Sequence, residues 1–103
     1  MHTRFLKPAE AEIDEAIAYL DAQRPGLGER FEQDLLETTT LIGERPLIGK
    51  VLSRLVRKFR FRRFRYSLVY VVAADEIVIV AVAHHRRRPG YWRSRMTALT
   101  LPT

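Results

Sequence analysis

"YSLVYVVAADEIVIVAVAHH", residues 66–85, decides how this chain folds. Two runs rich in β-branched and aromatic residues, 66–73 and 76–84, flank a tight Ala74-Asp75 turn, the pattern of a β-hairpin. The second run is almost wholly apolar, as expected of a strand covered on both faces or central in its sheet. It then passes without a break into His84 and His85.

Upstream, "RLVRKFRF" (54–61) also has period two. Leu55, Phe59 and Phe61 are expected on one face, and Lys58, Arg60 and Arg62 on the other. Before residue 50 the period becomes helical. Pro8 suits a first helical turn, because no N–H is needed there. Ile13, Ala16, Ile17 and Leu20 then follow helical spacing, and Glu10, Glu12, Asp14 and Glu15 crowd the end where the helix dipole favours anions. "RPGLG" (24–28) breaks this helix. A second follows to about residue 44, with Phe31, Leu35, Thr38 and Ile42 as its inner stripe and Pro46 and Gly49 beyond its end. "TRFLK" (3–7) reads as a short opening strand.

The expected order is therefore β-α-α-β-β-β in one domain, residues 1–103. Helices segregated from most strands define an α+β class. A helical hairpin, 8–23 and 28–44, should pack through Ile13, Ile17, Leu20, Phe31, Leu35 and Ile42 on one face of a small, mainly antiparallel sheet. The other face is left for the cations.

Composition narrows the function. With 47% hydrophobic residues the chain can fold, and no apolar run reaches the roughly 18 residues of a membrane span. The N-terminal stretch turns acidic and helical where a signal peptide is apolar, so a cytoplasmic protein is expected. No cysteine is present, which excludes disulfides and thiolate chemistry. The net charge of +6 conceals a division. Residues 1–44 carry four basic and ten acidic groups, whereas residues 45–103 carry fourteen basic and two acidic ones. A cationic half suits a phosphate backbone or an acidic protein partner.

Three clusters of residues could carry chemistry. Residues 54–65 hold seven cations, among which alternation aligns Lys58, Arg60 and Arg62 about 6.6 Å apart. This row could track phosphates, or simply charge a strand edge against sheet-to-sheet pairing. His84 and His85 should point to opposite faces, so they cannot share a metal ion and no metal site is expected. One of them must lie on the cationic side, where surrounding charge favours the neutral, proton-accepting form; a strand-end hydrogen-bonding role is the alternative. Last, "RRRPGYWRSR" (86–95) sets Tyr91 and Trp92 among Arg88, Arg93 and Arg95. That mixture suits single-stranded nucleic acid or a protein partner. Alternatively, Trp92 anchors the C-terminal segment to the core.

Taken together, "AEAEIDEAIAYLDAQRPGLGERFEQDL", "LIGERP", "YSLVYVV" and "EIVIVAVAHHRRRPGYWRSR" resemble the RelE/ParE superfamily of bacterial toxin–antitoxin toxins over roughly residues 9–95. The likeness implies a sheet backed by a helical hairpin, and a small basic toxin held inactive by an acidic antitoxin encoded beside it. It implies no cofactor. RelE-like members cut messenger RNA in the ribosomal decoding site, whereas ParE-like members inhibit DNA gyrase without being enzymes.

Carried over to this chain, the RNase reading places Arg60, Arg62 and Arg88 on the phosphate, His84 or His85 as general base or acid, and Tyr91 as a second proton carrier. No carboxylate is expected near that site, since Asp75 and Glu76 belong to a distant turn. Arg65 stands where related sequences commonly have proline in "RRFPYS". The "H.RRRPGYW" ending resembles ParE-like, plasmid-stabilisation members and tilts the expectation toward gyrase. There Lys58, Arg60, Arg62, Arg88, Trp92, Arg93 and Arg95 would form a binding surface.

Overall fold

The computed structural model describes residues 1–99; residues 100–103, the end of the expected domain, lie outside the described residues. Strand β1 (His2–Phe5) leads into helices α1 (Lys7–Gln23) and α2 (Leu27–Glu44). Strands β2 (Lys50–Ser53), β3 (Val56–Arg60), β4 (Tyr66–Val72) and β5 (Glu76–His84) follow, then a 3-10 turn at Arg93–Ala98. The sheet order is β1-β5-β4-β3-β2, with β1 parallel to β5 and the other pairs antiparallel. The α+β architecture is the expected one with a strand added at the edge.

The helices form because apolar positions recur on one side, and they separate at Gly26, whose φ of 95° suits a residue without Cβ. Ala9, Glu12 and Ala16 of α1, and Phe31, Asp34, Thr38 and Ile42 of α2, are buried. Ile13, Ile17, Leu20 and Leu35 pack half-buried beside them. This hairpin covers the sheet face that carries Leu68, Tyr70, Ile77, Ile79 and Val82. Phe31 anchors the contact, with its ring 5.2 Å from Phe61 and 4.9 Å from Tyr66. Burying such a ring contributes about 1.5–3 kcal/mol.

The added strand β2 is held by its approach. The Tyr70 hydroxyl donates to Pro46 O at 2.7 Å and accepts the Gly49 N–H at 2.9 Å. Arg57 Nη1 donates to Leu47 O and Gly49 O at 3.0 and 2.9 Å. These bonds bring 50–53 alongside β3 although every residue of β2 is exposed.

Three local expectations are corrected. Leu55 falls in the β2–β3 turn and is 46% exposed; Val56 is buried instead. Arg62 leaves the row of Lys58 and Arg60 because β3 ends at Arg60. The cause is Asp34, whose carboxylate accepts the backbone N–H groups of Arg62, Arg63 and Phe64 at 3.2, 2.8 and 3.1 Å and bends the chain around itself. The first strand covers residues 2–5 rather than 3–7, since α1 already begins at Lys7.

Finally, the second sheet face is not left to cations alone. Its Val56, Val69, Val71, Val80, Ala81 and Ala83 form an apolar floor, which the C-terminal segment covers with Trp92, Tyr91, Met96 and Leu99. The chain reaches it through a turn in which Tyr91 N–H donates to Arg88 O, with Pro89 second and Gly90 third at φ 77°. Proline followed by a positive-φ glycine is the residue choice of a type II turn.

One irregularity fixes where the histidines go. Val69 pairs with Ala81 but Tyr70 pairs with Ile79, so Val80 is an extra residue, a β-bulge. Val80 and Ala81 consequently pack on the same side. Simple alternation groups His84 with Val78 and Val80. The bulge moves it to the helix side with Ile77, Ile79 and Val82, and sends His85 to the opposite face with Ala81 and Ala83.

Candidate functional site

Beyond its pairing with β1, β5 would expose bare backbone groups. A buried network satisfies them. Glu12 Oε1 accepts the Val82 N–H at 3.0 Å, and Arg95 Nη1 donates to Val80 O at 3.1 Å. Arg95 also binds both oxygens of Glu12, at 2.8 and 3.1 Å, and the Tyr91 hydroxyl donates to Glu12 Oε2 at 2.6 Å. The expectation that no carboxylate stands near the strand end is therefore wrong. Glu12 was legible in principle: it lies three residues after Ala9 and four before Ala16, on the buried stripe. Burial, together with the hydrogen bond to Glu12 and that carboxylate's charge, pushes the Tyr91 hydroxyl well above its usual range. The same carboxylate holds Arg95 firmly charged.

Trp92 is 5% exposed and covers the apolar floor, which is the anchoring alternative rather than an open stacking face. Arg93 lies exposed over it, Cζ 5.5 Å from the ring, and Arg87 lies 3.9 Å over Tyr91. Arg86, Arg87 and Arg88 are all exposed. The network thus holds a platform on which exposed arginines stand.

His84 faces a groove of about 180 Å3 against α1, with Glu15, Tyr19 and Tyr66. Its Nδ1 accepts the Arg86 N–H at 3.1 Å, which requires an unprotonated nitrogen. Burial, then the charges of Arg86 and Arg65, lower its pKa. His85 faces a separate cleft of about 580 Å3 containing Lys50, Lys58, Arg60 and Ser67. Its pKa is lowered by burial first and then by Arg60 and Lys58. His85 is thus the histidine on the cationic face. Arg62 lines a different groove, beside Asp34 and Thr38. Tyr91, Trp92 and Arg93 border a further depression that Lys58, His84, His85 and Arg88 also line.

The structure therefore brings Lys58, Arg60 and His85 together, and gathers Arg88 and Arg93 around Trp92. It turns the His84 side chain to the helix side, leaves Arg62 beyond the end of β3 in a groove that Arg60 also lines, and engages Tyr91 and Arg95 internally. Ser67 carries no role in the sequence analysis, and a single hydroxyl at the head of an apolar run gives no signal. Among the described residues, no three histidine or carboxylate side chains could hold a metal ion, and no helix is long and apolar enough to cross a membrane.

A helical hairpin on a five-stranded sheet, with a cation-rich end to its last strand, defines a class of small basic α+β proteins. A family model described as "ParE toxin of type II toxin-antitoxin system, parDE" matches residues 3–89, and the chain belongs to that family. No curated protein matches. Among solved structures, a chain of the "Chromosomal ParDE TA system from P. aeruginosa" is similar with a TM-score of 0.72 at 19% identity, over 82% of this chain and 95% of that one. At that identity the likeness supports the fold.

Proposed function

We propose that this ParE-family toxin stops growth by binding DNA gyrase through the exposed cations at the end of β5, and that an acidic antitoxin encoded beside it neutralises it. The family description names the parDE system, and the similar structure is that of a ParDE system. One observation favours binding over cleavage: the proton-transfer candidates do not converge. All three border one depression, but the His84 and His85 side chains leave the end of β5 on opposite faces of the sheet, and the Tyr91 hydroxyl is committed to Glu12. Phosphodiester cleavage by 2′-oxygen attack needs a base and an acid on opposite sides of one phosphate. The alternative, a RelE-like ribosome-dependent messenger endonuclease, has one feature in its favour, the neutral His85 beside Lys58 and Arg60.

Supercoiling by purified gyrase and translation-dependent messenger cleavage, assayed in parallel, separate these readings. The antitoxin half has its own test. The toxin co-purified with the product of an adjacent acidic reading frame should survive about 0.5 M salt, because apolar burial persists when exposed charges are screened. Complete dissociation there would mean that charge alone holds the pair.

A further inference from the structure

The cleft at His85 contains two unfavourable features that one ligand would relieve. Lys50 and Lys58 are register partners on β2 and β3, so two like charges stand directly across from each other. Among the described residues, no carboxylate lines the cleft to compensate them. One strand further in, Arg60, Ser67 and Ala83 are partners across β3, β4 and β5. The Ser67 side chain lines the cleft, is fully buried, and its hydroxyl makes no hydrogen bond among the described residues. Buried polar groups nearly always have a partner, and one without needs an explanation.

We propose that this cleft binds a phosphate group carried by a nucleotide, with the Ser67 hydroxyl and the Lys50, Lys58 and Arg60 cations shared among its oxygens. The donors suit a tetrahedral anion. They rise from three adjacent strands spaced about 4.8 Å apart, so they approach one centre from several directions. Serine gives a neutral hydrogen bond, the lysines give point charges, and arginine gives a planar fork. Neutral His85 can add an N–H donor without adding to the repulsion. The apolar side of the cleft, Leu52 and Ile48, offers a surface for a base, and about 580 Å3 lies within the range of small-ligand sites. The chemistry at Ser67 is the same for the phosphate of a mononucleotide and for the backbone of a single strand, whichever machine the toxin poisons.

The test is an amide-resolved NMR titration of the full chain with inorganic phosphate, thymidine 5′-monophosphate and a thymidine hexamer lacking terminal phosphates. Saturable binding is expected, with shifts centred on Lys58, Arg60 and Ser67. Tighter binding of the monophosphate identifies a nucleotide ligand, and tighter binding of the hexamer identifies a backbone phosphate. Ser67→Ala should weaken binding about tenfold without lowering the melting temperature, since it deletes a hydroxyl that has no partner in the fold. Arg60→Ala should weaken it further, while Arg30→Ala, on the exposed side of α2, should leave it unchanged. Any of three results overturns the proposal: no saturable binding of any probe, wild-type affinity in Ser67→Ala, or an Arg30→Ala loss equal to that of Arg60→Ala.

Discussion

Arg95 grips Glu12 through two parallel hydrogen bonds of 2.8 and 3.1 Å, tying the C-terminal segment to the first helix across 83 residues of sequence. The pair is nearly buried, with side-chain exposures of 16% and 10%. Removing one partner strands the other charge. Glu12→Ala should therefore cost about 3–5 kcal/mol in urea unfolding. The exposed Arg4–Glu76 pair makes the contrast: Arg4→Ala should cost no more than about 1 kcal/mol. Equal losses at the two sites would refute the role given to burial.

The Asp34 carboxylate is the common acceptor of three backbone N–H groups at 62–64. Asp34→Ala removes their common acceptor from a buried position in α2. A loss of about 3 kcal/mol is expected, with faster hydrogen exchange at Arg63 and Phe64 than elsewhere in the sheet. Unchanged exchange there would show that the loop does not depend on the carboxylate.

The pH dependence follows from His84 and His85. Both pKa values lie below 6.5 in the folded chain. As pH falls through 6.5, the unfolded chain takes up these protons first, so folding stability declines. The stabilising effect of the neutral rings is complete above the unfolded pKa and lost as pH drops toward the folded values. Because both rings reach solvent, salt should flatten the slope. NMR titration of the ring protons checks this: midpoints below 6.5 are expected, and Arg60→Ala should raise that of His85 while leaving His84 nearly unmoved. A midpoint above 6.5 for either ring contradicts it.

These predictions rest on features of uneven visibility in the sequence. The hairpin and both helices were legible because their apolar residues recur at the period of the element they form. Strand β2 was not, because "KVLS" is exposed on both faces and carries no buried alternation. The bulge at Val80 was hidden by composition: in "EIVIVAVAH" nearly every position is apolar, so a shift of one residue leaves the pattern unchanged. Glu12 and Asp34 look like surface charges by type, and only their positions on the inner stripes of their helices show otherwise. The arginines after His85 announced a cationic surface, but not that Arg95 would be spent on holding the segment in place.

Trp92 belongs with the structural residues for the same reason. Trp92→Ala removes the ring that covers Val69, Val71 and Val80, and should cost about 3–5 kcal/mol. Loss of toxicity in that variant would accompany lost folding, as circular dichroism should show. Arg88→Ala, at an exposed site, should change stability by no more than about 0.5 kcal/mol and serves as the cleaner probe of the surface.

Supercoiling by purified gyrase, titrated with the free toxin, tests the central reading most directly. Wild-type toxin should inhibit it, His84→Ala and His85→Ala should inhibit nearly as well, and Arg88→Ala should inhibit much less while folding normally. The contrary result is supercoiling unaffected by the toxin, together with translation-dependent messenger cleavage that His85→Ala abolishes.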